Sequence, residues 1–306
     1  MLGASFQLEL LEPDDEARLE QALHMAWDWL APELRTARLS VAEDPEPVRP
    51  QHLEYISSYA ASLRAATADD PGTQRELNNH AKLGRTDYAV DLTGAVEDET
   101  ASPFSLCFWA EIGEVDPIDE WLPAFATLTV TVPHTWPVAD FQDRVLAMAA
   151  PLRLRWGAAG FGYSAVYPSL TASPARAIYA HARRHPGYDL GFHMQCMEAL
   201  YRRIRTISWL TLVGPALLDE LAAAGRRLVD TPSVALGQAG SAAVLRAGNT
   251  PLAGDVNRLD VPAAYREADA LLRPVRADDP QGLVALGPWT DDSLLQWLRR
   301  FELRVS

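Results

Sequence analysis

Two cysteines, a single lysine and no long apolar run are what this 306-residue sequence offers where other protein classes are rich. Cys107 and Cys196 sit in the stretches SLCFWA and HMQCMEA. Neither their number nor their spacing makes a disulfide framework, and both read as buried reduced thiols. A membrane span needs about 20 consecutive apolar residues, and no stretch approaches that. The first residues, MLGASFQLELLEPDDE, turn acidic where a secretory signal would be basic and then apolar. The expectation is a soluble, cytoplasmic protein. Gly and Pro number 18 and 22, and 48% of the residues are hydrophobic, which excludes collagenous and disordered classes.

Positive charge is also scarce, and unevenly so. The formal net charge is -14. Residues 1–120 hold 25 Asp+Glu against 8 Lys+Arg, a net of -17, while residues 121–306 hold 16 against 19, a net of +3. A chain this acidic repels nucleic acid and anionic membrane and accelerates encounter with a basic partner.

Along the chain, apolar residues at three- and four-residue steps from Ala17 to Leu30, after the acidic turn Asp14, Asp15 and Glu16, predict a first helix. Pro45, Pro47 and Pro50 make a stiff connector, and Leu53, Ile56, Tyr59, Ala60 and Leu63 mark a second helix. Alternation around Tyr88, Val90 and Leu92, and the β-branched and aromatic runs at 104–112 and 125–132, predict strands. The acidic, proline-marked loop between the last two is long enough to return the chain antiparallel and too short for a crossover helix. Further on, the pattern predicts helices at 139–148, 174–184, 215–223, 262–272 and 291–301, the last capped by Thr290. Strands are expected at 160–166, as a central strand at 203–213, and as a short pair at 234–236 and 243–246. This order gives an α+β class, with an antiparallel or mixed β-sheet and helices packed on it in a single compact unit, 1–306.

No motif in the sequence carries catalysis. The glycine cluster GAAGFG at 157–162 lacks the order of a dinucleotide loop and is read as a connector leading into a strand. His181, His185, His193 and Cys196 fall within sixteen residues, but only His193 and Cys196 form a close pair, and Arg183 and Arg184 bring positive charge where a dication would sit. A nucleophile elbow and a Cys–His–Asn arrangement are both absent. The carboxylates occur in runs, such as Glu97, Asp98 and Glu99, without a neighbouring His to make an acid–base pair. The reading is therefore a non-enzyme with no cofactor and no metal.

Three stretches have a familiar wording: HPGYDLGFH (185–193), IRTISWLTLVGPALLDEL (204–221) and LAGDVNRLDVPAAYREADALLRPVR (252–276). With the strand FSLCFWAE (104–111) and the block at 136–166, they resemble the TsiV-like family of type VI secretion immunity proteins. That family is paired with nuclease effectors of the VRR-NUC, PD-(D/E)XK type. The resemblance implies a stoichiometric inhibitor with no catalytic residues to carry over, whose partner is a toxin delivered between bacteria. A nuclease presents a basic groove to DNA, and a surface rich in carboxylates suits that groove as a phosphate surrogate.

The shared motifs read as scaffold: Trp209, Leu210 and Leu212 for a core strand, Gly254 for a turn, Tyr265, Leu271 and Leu272 for a packed helix. The partner surface is expected instead in the acidic part. Its first choice is the loop Glu111, Glu114, Asp116, Asp119 and Glu120 with Trp121 as an apolar anchor, and its second is Glu97, Asp98 and Glu99. Two other readings compete with immunity. One is a hydrolase or metal-dependent enzyme built on the His181 to Cys196 region, and the other is an adaptor that loads effectors onto the secretion apparatus.

Overall fold

The computed structural model describes residues 1–9, 12, 14–39, 45–58, 87–96, 101–111, 125–163, 172–190, 202–280 and 288–302. Among them eleven strands form one sheet. The strands are β1 (Leu2–Leu8), β2 (Thr36–Leu39), β3 (Glu46–Pro47), β4 (Asp87–Thr93), β5 (Ser105–Glu111), β6 (Phe125–Val132), β7 (Leu154–Gly162), β8 (Tyr188–Asp189), β9 (Leu210–Val213), β10 (Val234–Ala239) and β11 (Ala242–Ala247). Their order is β10-β11-β9-β7-β1-β6-β5-β4-β2-β3, antiparallel throughout except that β8 adds to β7 in parallel. The helices are α1 (Asp15–Leu30), α2 (52–58), α3 (Val138–Ala149), α4 (Ala172–Arg184), α5 (Pro215–Ala223), α6 (Ala263–Leu272) and α7 (Asp291–Leu298). The α+β class and the antiparallel sheet are as the sequence predicts.

The centre of the sheet is β1, bonded to β6 on one side and β7 on the other and buried along its whole length. The sequence expectation contains no such strand. Its signal is the period-2 alternation of Leu2, Ala4, Phe6 and Leu8, with Gly3, Ser5 and Gln7 between them. That alternation gives the sheet two unlike faces. One cross-strand row runs Leu39, Val90, Phe108, Leu128, Phe6, Gly157, Leu212 and Val244. The next row runs Arg38, Asp91, Cys107, Thr129, Ser5, Ala158, Thr211 and Leu245. The apolar residues of the first row share one continuous core with the buried faces of α1 (Leu19, Leu23, Ala26, Leu30) and α3 (Phe141, Val145, Met148), and the two helices pack on each other.

Two expectations from the sequence need correction. The GAAG cluster is not a connector but the middle of β7, which begins at Leu154. Glycine is needed there because the segment ahead of β9 crosses close by: a Cβ on Gly160 would lie 2.4 Å from the Ser208 hydroxyl. The expected central strand 203–213 shrinks to Leu210–Val213, with Ile204 making only an isolated bridge to Arg276. Its first half is buried all the same, because side chains replace the ladder. Arg205 is paired with Asp189 at 3.0 Å, both side chains fully buried, and its guanidinium lies over the Trp156 ring. Arg276 donates to the Ile204 and Leu298 carbonyls at 3.1 and 2.6 Å and pairs with buried Asp269. Arg300 donates to the Pro186 carbonyl and the Thr206 hydroxyl at 2.7 and 2.8 Å. Burial draws Arg276 down to about 10 and Arg300 to about 9, which leaves both charged at neutral pH.

Both edges of the sheet are closed to further pairing. β3 has two residues, one of them Pro47. At β10 the outward Leu236 N–H donates to Asp230 Oδ1 at 2.8 Å, and Val234 exchanges bonds with Thr231 through both its N–H and its carbonyl. The turn of the β10–β11 hairpin holds Gly240 at φ +58, where a Cβ would lie 1.9 Å from the Ala150 carbonyl oxygen at the end of α3.

The motif residues that read as scaffold are buried. Trp209, Leu210, Leu212, Tyr265 and Leu272 are wholly enclosed, Leu271 is partly so, and Gly254 takes φ +66. Trp209→Ala, which also loses the indole bond to the Gly248 carbonyl, is expected to cost about 3–5 kcal/mol and Leu212→Ala about 2–5. Denaturant titration measures both. Retained melting temperatures with loss of the partner would make the segment an interface instead.

Candidate functional site

The strands fix where the two acidic segments leave the sheet. β4 and β5 pair from Asp87↔Glu111 at one end to Thr93↔Ser105 at the other, and β5 and β6 from Glu111↔Phe125 to Ser105↔Thr131. The connection carrying Glu114, Asp116, Asp119, Glu120 and Trp121 therefore leaves from the Glu111 end, and the one carrying Glu97, Asp98 and Glu99 from the Thr93 end. Seven-residue strands separate those ends by about 20 Å, so the two connections start at opposite ends of the strands. Glu111 closes β5. Its side chain, and all the other residues named for the partner surface, lie outside the described residues.

A described acidic surface was not among the sequence expectations. α1 turns Leu19, Leu23, Ala26 and Leu30 inward and leaves Asp14, Glu20 and Asp28 exposed, with Glu33 following. Asp14 is paired with Arg18 at 3.1 Å, whereas Glu20, Asp28 and Glu33 form no ion pair among the described residues. The neighbouring α3 pairs Asp140 with Arg144 at 2.9 Å, and bonds from Arg144 and the Trp136 indole hold the Asp140 carboxyl below its usual range. The helical period that identifies α1 also places these acids outward.

The region named for a possible enzyme is a packed corner of rings. Tyr163 Oη and His181 Nδ1 are 2.8 Å apart, His185 Nδ1 is 2.6 Å from the Gly254 carbonyl, and the two imidazoles lie 4.4 Å centre to centre. Tyr188 packs on Tyr163, His181 and Phe161. Burial lowers the His181 pKa, with His185 and Arg184 adding to the effect, and burial raises that of Tyr163. These imidazoles are spent on a hydroxyl and a carbonyl. Among the described residues no three His, Cys, Asp or Glu groups are placed to hold a metal. His193 and Cys196 lie outside them.

The polar row of the sheet contains a second titratable group. Asp91 is buried with its Oδ1 unbonded, and burial, offset in part by Arg38, raises its pKa to about 6. Its cross-strand neighbour Cys107 is a free cysteine whose residue as a whole is partly exposed. Burial and then the Asp91 carboxylate push that thiol well above its ordinary value. A thiol held protonated is a poor nucleophile, so the pair has the wrong electrostatics for thiolate chemistry.

Residues 46–301 match the family described as TsiV, type VI immunity for VRR-NUC. The chain belongs to that family. It is therefore a type VI immunity protein by family, and the family's name couples it to VRR-NUC effectors. In fold it is similar to the Pseudomonas aeruginosa T6SS protein PA0821, with a TM-score of 0.69 and 18% identity over 99% of this chain and 84% of that one. At that identity the likeness concerns the fold alone. No curated protein matches the chain in sequence. No helix among the described residues is long and apolar enough to cross a membrane.

Asp91 gives a pH test of this assignment of the polar row. Its folded pKa of about 6 lies above the unfolded value near 3.9, so the folded state prefers the protonated form. Its effect is nil below pH ~4, grows unfavourable between pH ~4 and ~6 and levels off above that at no more than about 3 kcal/mol. Asp91→Asn is expected to be more stable than the wild type at pH 7.5 and equal to it at pH 4. Equal stability at both pH values would show that the carboxylate is solvated.

Proposed function

We propose that this immunity protein neutralises a VRR-NUC nuclease by binding it stoichiometrically and covering the basic surface that engages DNA. The observation that carries the reading is the charge asymmetry: -17 in residues 1–120 against +3 in the rest, with Glu20 and Asp28 exposed on the outer side of α1 and Glu33 exposed just after it, none of them ion-paired among the described residues. A DNA-binding surface is complementary to rows of phosphates, and carboxylates displayed at similar density compete for it. Neutralisation of this kind needs no catalysis by the inhibitor. Residence in the cytoplasm, where a nuclease reaches its substrate, fits the same reading.

Within it, the β5–β6 connection with Glu111, Glu114, Asp116, Asp119, Glu120 and Trp121 is the first contact surface and Glu97, Asp98 and Glu99 the second. Pro117 and Pro123 restrict the chain and lower the ordering cost of binding. Trp121 supplies apolar area, while the charges chiefly raise the association rate.

The deciding experiment mixes the purified protein with a purified VRR-NUC effector from the same bacterium. DNA cleavage is expected to vanish at an equimolar ratio. Binding with cleavage intact would replace inhibition by effector loading, and no binding would reject both. In the same assay, Asp116→Lys, Asp119→Lys, Glu120→Lys combined should slow association and flatten its salt dependence. Unchanged kinetics in a folded triple variant would move the contact to another surface.

A further inference from the structure

We propose that the loop from Leu252 to Asp260 is a docking surface for the same effector, with Leu259 as an apolar anchor and Arg258 as its charged neighbour. This rests on the immunity reading above and adds a second, chemically different contact to it.

The loop is held rigid at its base. Asp255 and Asp260 exchange backbone bonds of 2.7 and 3.0 Å. The Asp255 carboxylate accepts from the Asn257 N–H at 3.0 Å and takes both arms of Arg184 at 3.1 and 2.8 Å. Bonding from Arg184 holds that carboxyl below its usual range. Ahead of this, the Gly187 N–H donates to the Ala253 carbonyl, and His185 Nδ1 lies against the Gly254 carbonyl at 2.6 Å. The loop is thus fixed to the end of α4 from two sides.

At its tip the chain does something unfavourable twice. Leu259 has φ 57 and ψ 22, and among the described residues it is the sole non-glycine with a positive φ. A left-handed conformation costs an L-residue about 1–2 kcal/mol, and glycine would adopt it freely. Leu259 is also 90% exposed, so the free protein gains almost no burial in return. Leu252 and Val256 in the same loop are 42% and 37% exposed. A strained, rigid loop that presents a bare leucine recovers its cost only when another surface buries that leucine, and rigidity lowers the ordering cost of doing so.

Charge defines the occupant. Arg258 is 81% exposed and only 3.7 Å from an Asp255 carboxylate that Arg184 already occupies, and Arg183 and Arg184 are exposed beside it. The matching pocket is apolar with carboxylates on its rim, unlike the basic surface that meets the acidic part of the chain. A second copy of this chain fits less well. A stable dimer buries roughly 800 Å² per partner, and a nine-residue loop falls short of that on its own. A contact this small makes sense as one part of the larger interface with the effector.

Leu259→Gly separates recognition from folding, because it removes the anchor and relieves the strain together. The variant should melt at or above the wild-type temperature and dissociate from the effector at least tenfold faster. Arg258→Glu should weaken binding as well. If the wild type inhibits the nuclease and Leu259→Gly binds it equally tightly, the loop is not the contact and the immunity reading stands. If the wild type itself neither binds nor inhibits, the immunity reading falls first. A lower melting temperature for Leu259→Gly would overturn the strain argument. A wild-type dimer in sedimentation that Leu259→Gly converts to monomer would assign the loop to a second copy and overturn the proposal.

Discussion

The buried pair Arg205–Asp189 is the constraint on which the C-terminal half depends. Two opposite charges enclosed at 3.0 Å are tolerated only while both are present, and removing one partner of such a pair costs about 3–5 kcal/mol. Around them Arg276 and Arg300 reach backbone carbonyls from three separate segments: Ile204, Pro186 and Leu298. Pro186 and Ile204 lie outside any helix or named strand, and Leu298 is the last residue of α7. Guanidinium groups, with several donors in a fixed plane, satisfy carbonyls that would otherwise be buried without partners. Lysine, whose donors all sit on one nitrogen, lacks the planar fork that spreads these bonds.

This network gives a structural role to the buried arginines that the stretches carrying the family likeness contribute, and those stretches are poor in candidate chemistry. HPGYDLGFH supplies Pro186 and Asp189, IRTISWLTL supplies Ile204, Arg205 and Thr206, and LLRPVR supplies Arg276. Each holds the others in place. The N-terminal part has a different logic: β1 is locked between β6 and β7, its core is apolar, and its acids are spread over the outside of α1 and the connections between strands. In the proposed reading, scaffold and recognition are largely separated along the chain. The loop ending at Asp260 is where they meet, since Asp255 belongs to the Arg184 pair and Leu259 faces solvent.

How much of this is legible in the sequence depends on whether the decisive contact is local. β6 and α5 fall where their patterns put them, because period-2 alternation in FATLTVTV and a Pro at the first turn of PALLDELAA are local signals. The middle of β7 is misread because glycine usually marks a turn, and the reason for Gly160 is Ser208, almost fifty residues away. The strand expected at 203–213 is too long for the same reason: Arg205 and Thr206 are buried by partners, not by a ladder. β1 is legible in retrospect, since its four apolar residues alternate, but the polar set between them masks the pattern. The charge asymmetry is fully visible in the sequence. The bare, left-handed Leu259 is not, because LAGDVNRLD shows a leucine of ordinary appearance, and only the closed Asp255–Asp260 bridge forces its backbone over.

Charge alone is a poor basis for lasting inhibition. Carboxylates at a rim speed encounter and lose force as salt rises, with a screening length of about 8 Å at physiological ionic strength. Affinity differences between related complexes lie mostly in dissociation, and slow dissociation comes from a few enclosed apolar or aromatic anchors. An inhibitor that must hold a nuclease against a vast excess of competing DNA therefore needs both kinds of contact. In the proposed reading the acidic part of this chain meets the first need. The second requires apolar side chains that are exposed in the free protein and held rigidly, and among the described residues Leu259 combines near-complete exposure with a backbone locked in place. The two requirements also predict different signatures, since the acidic contacts govern the dependence of association on salt and the anchor governs a dissociation rate that salt hardly moves.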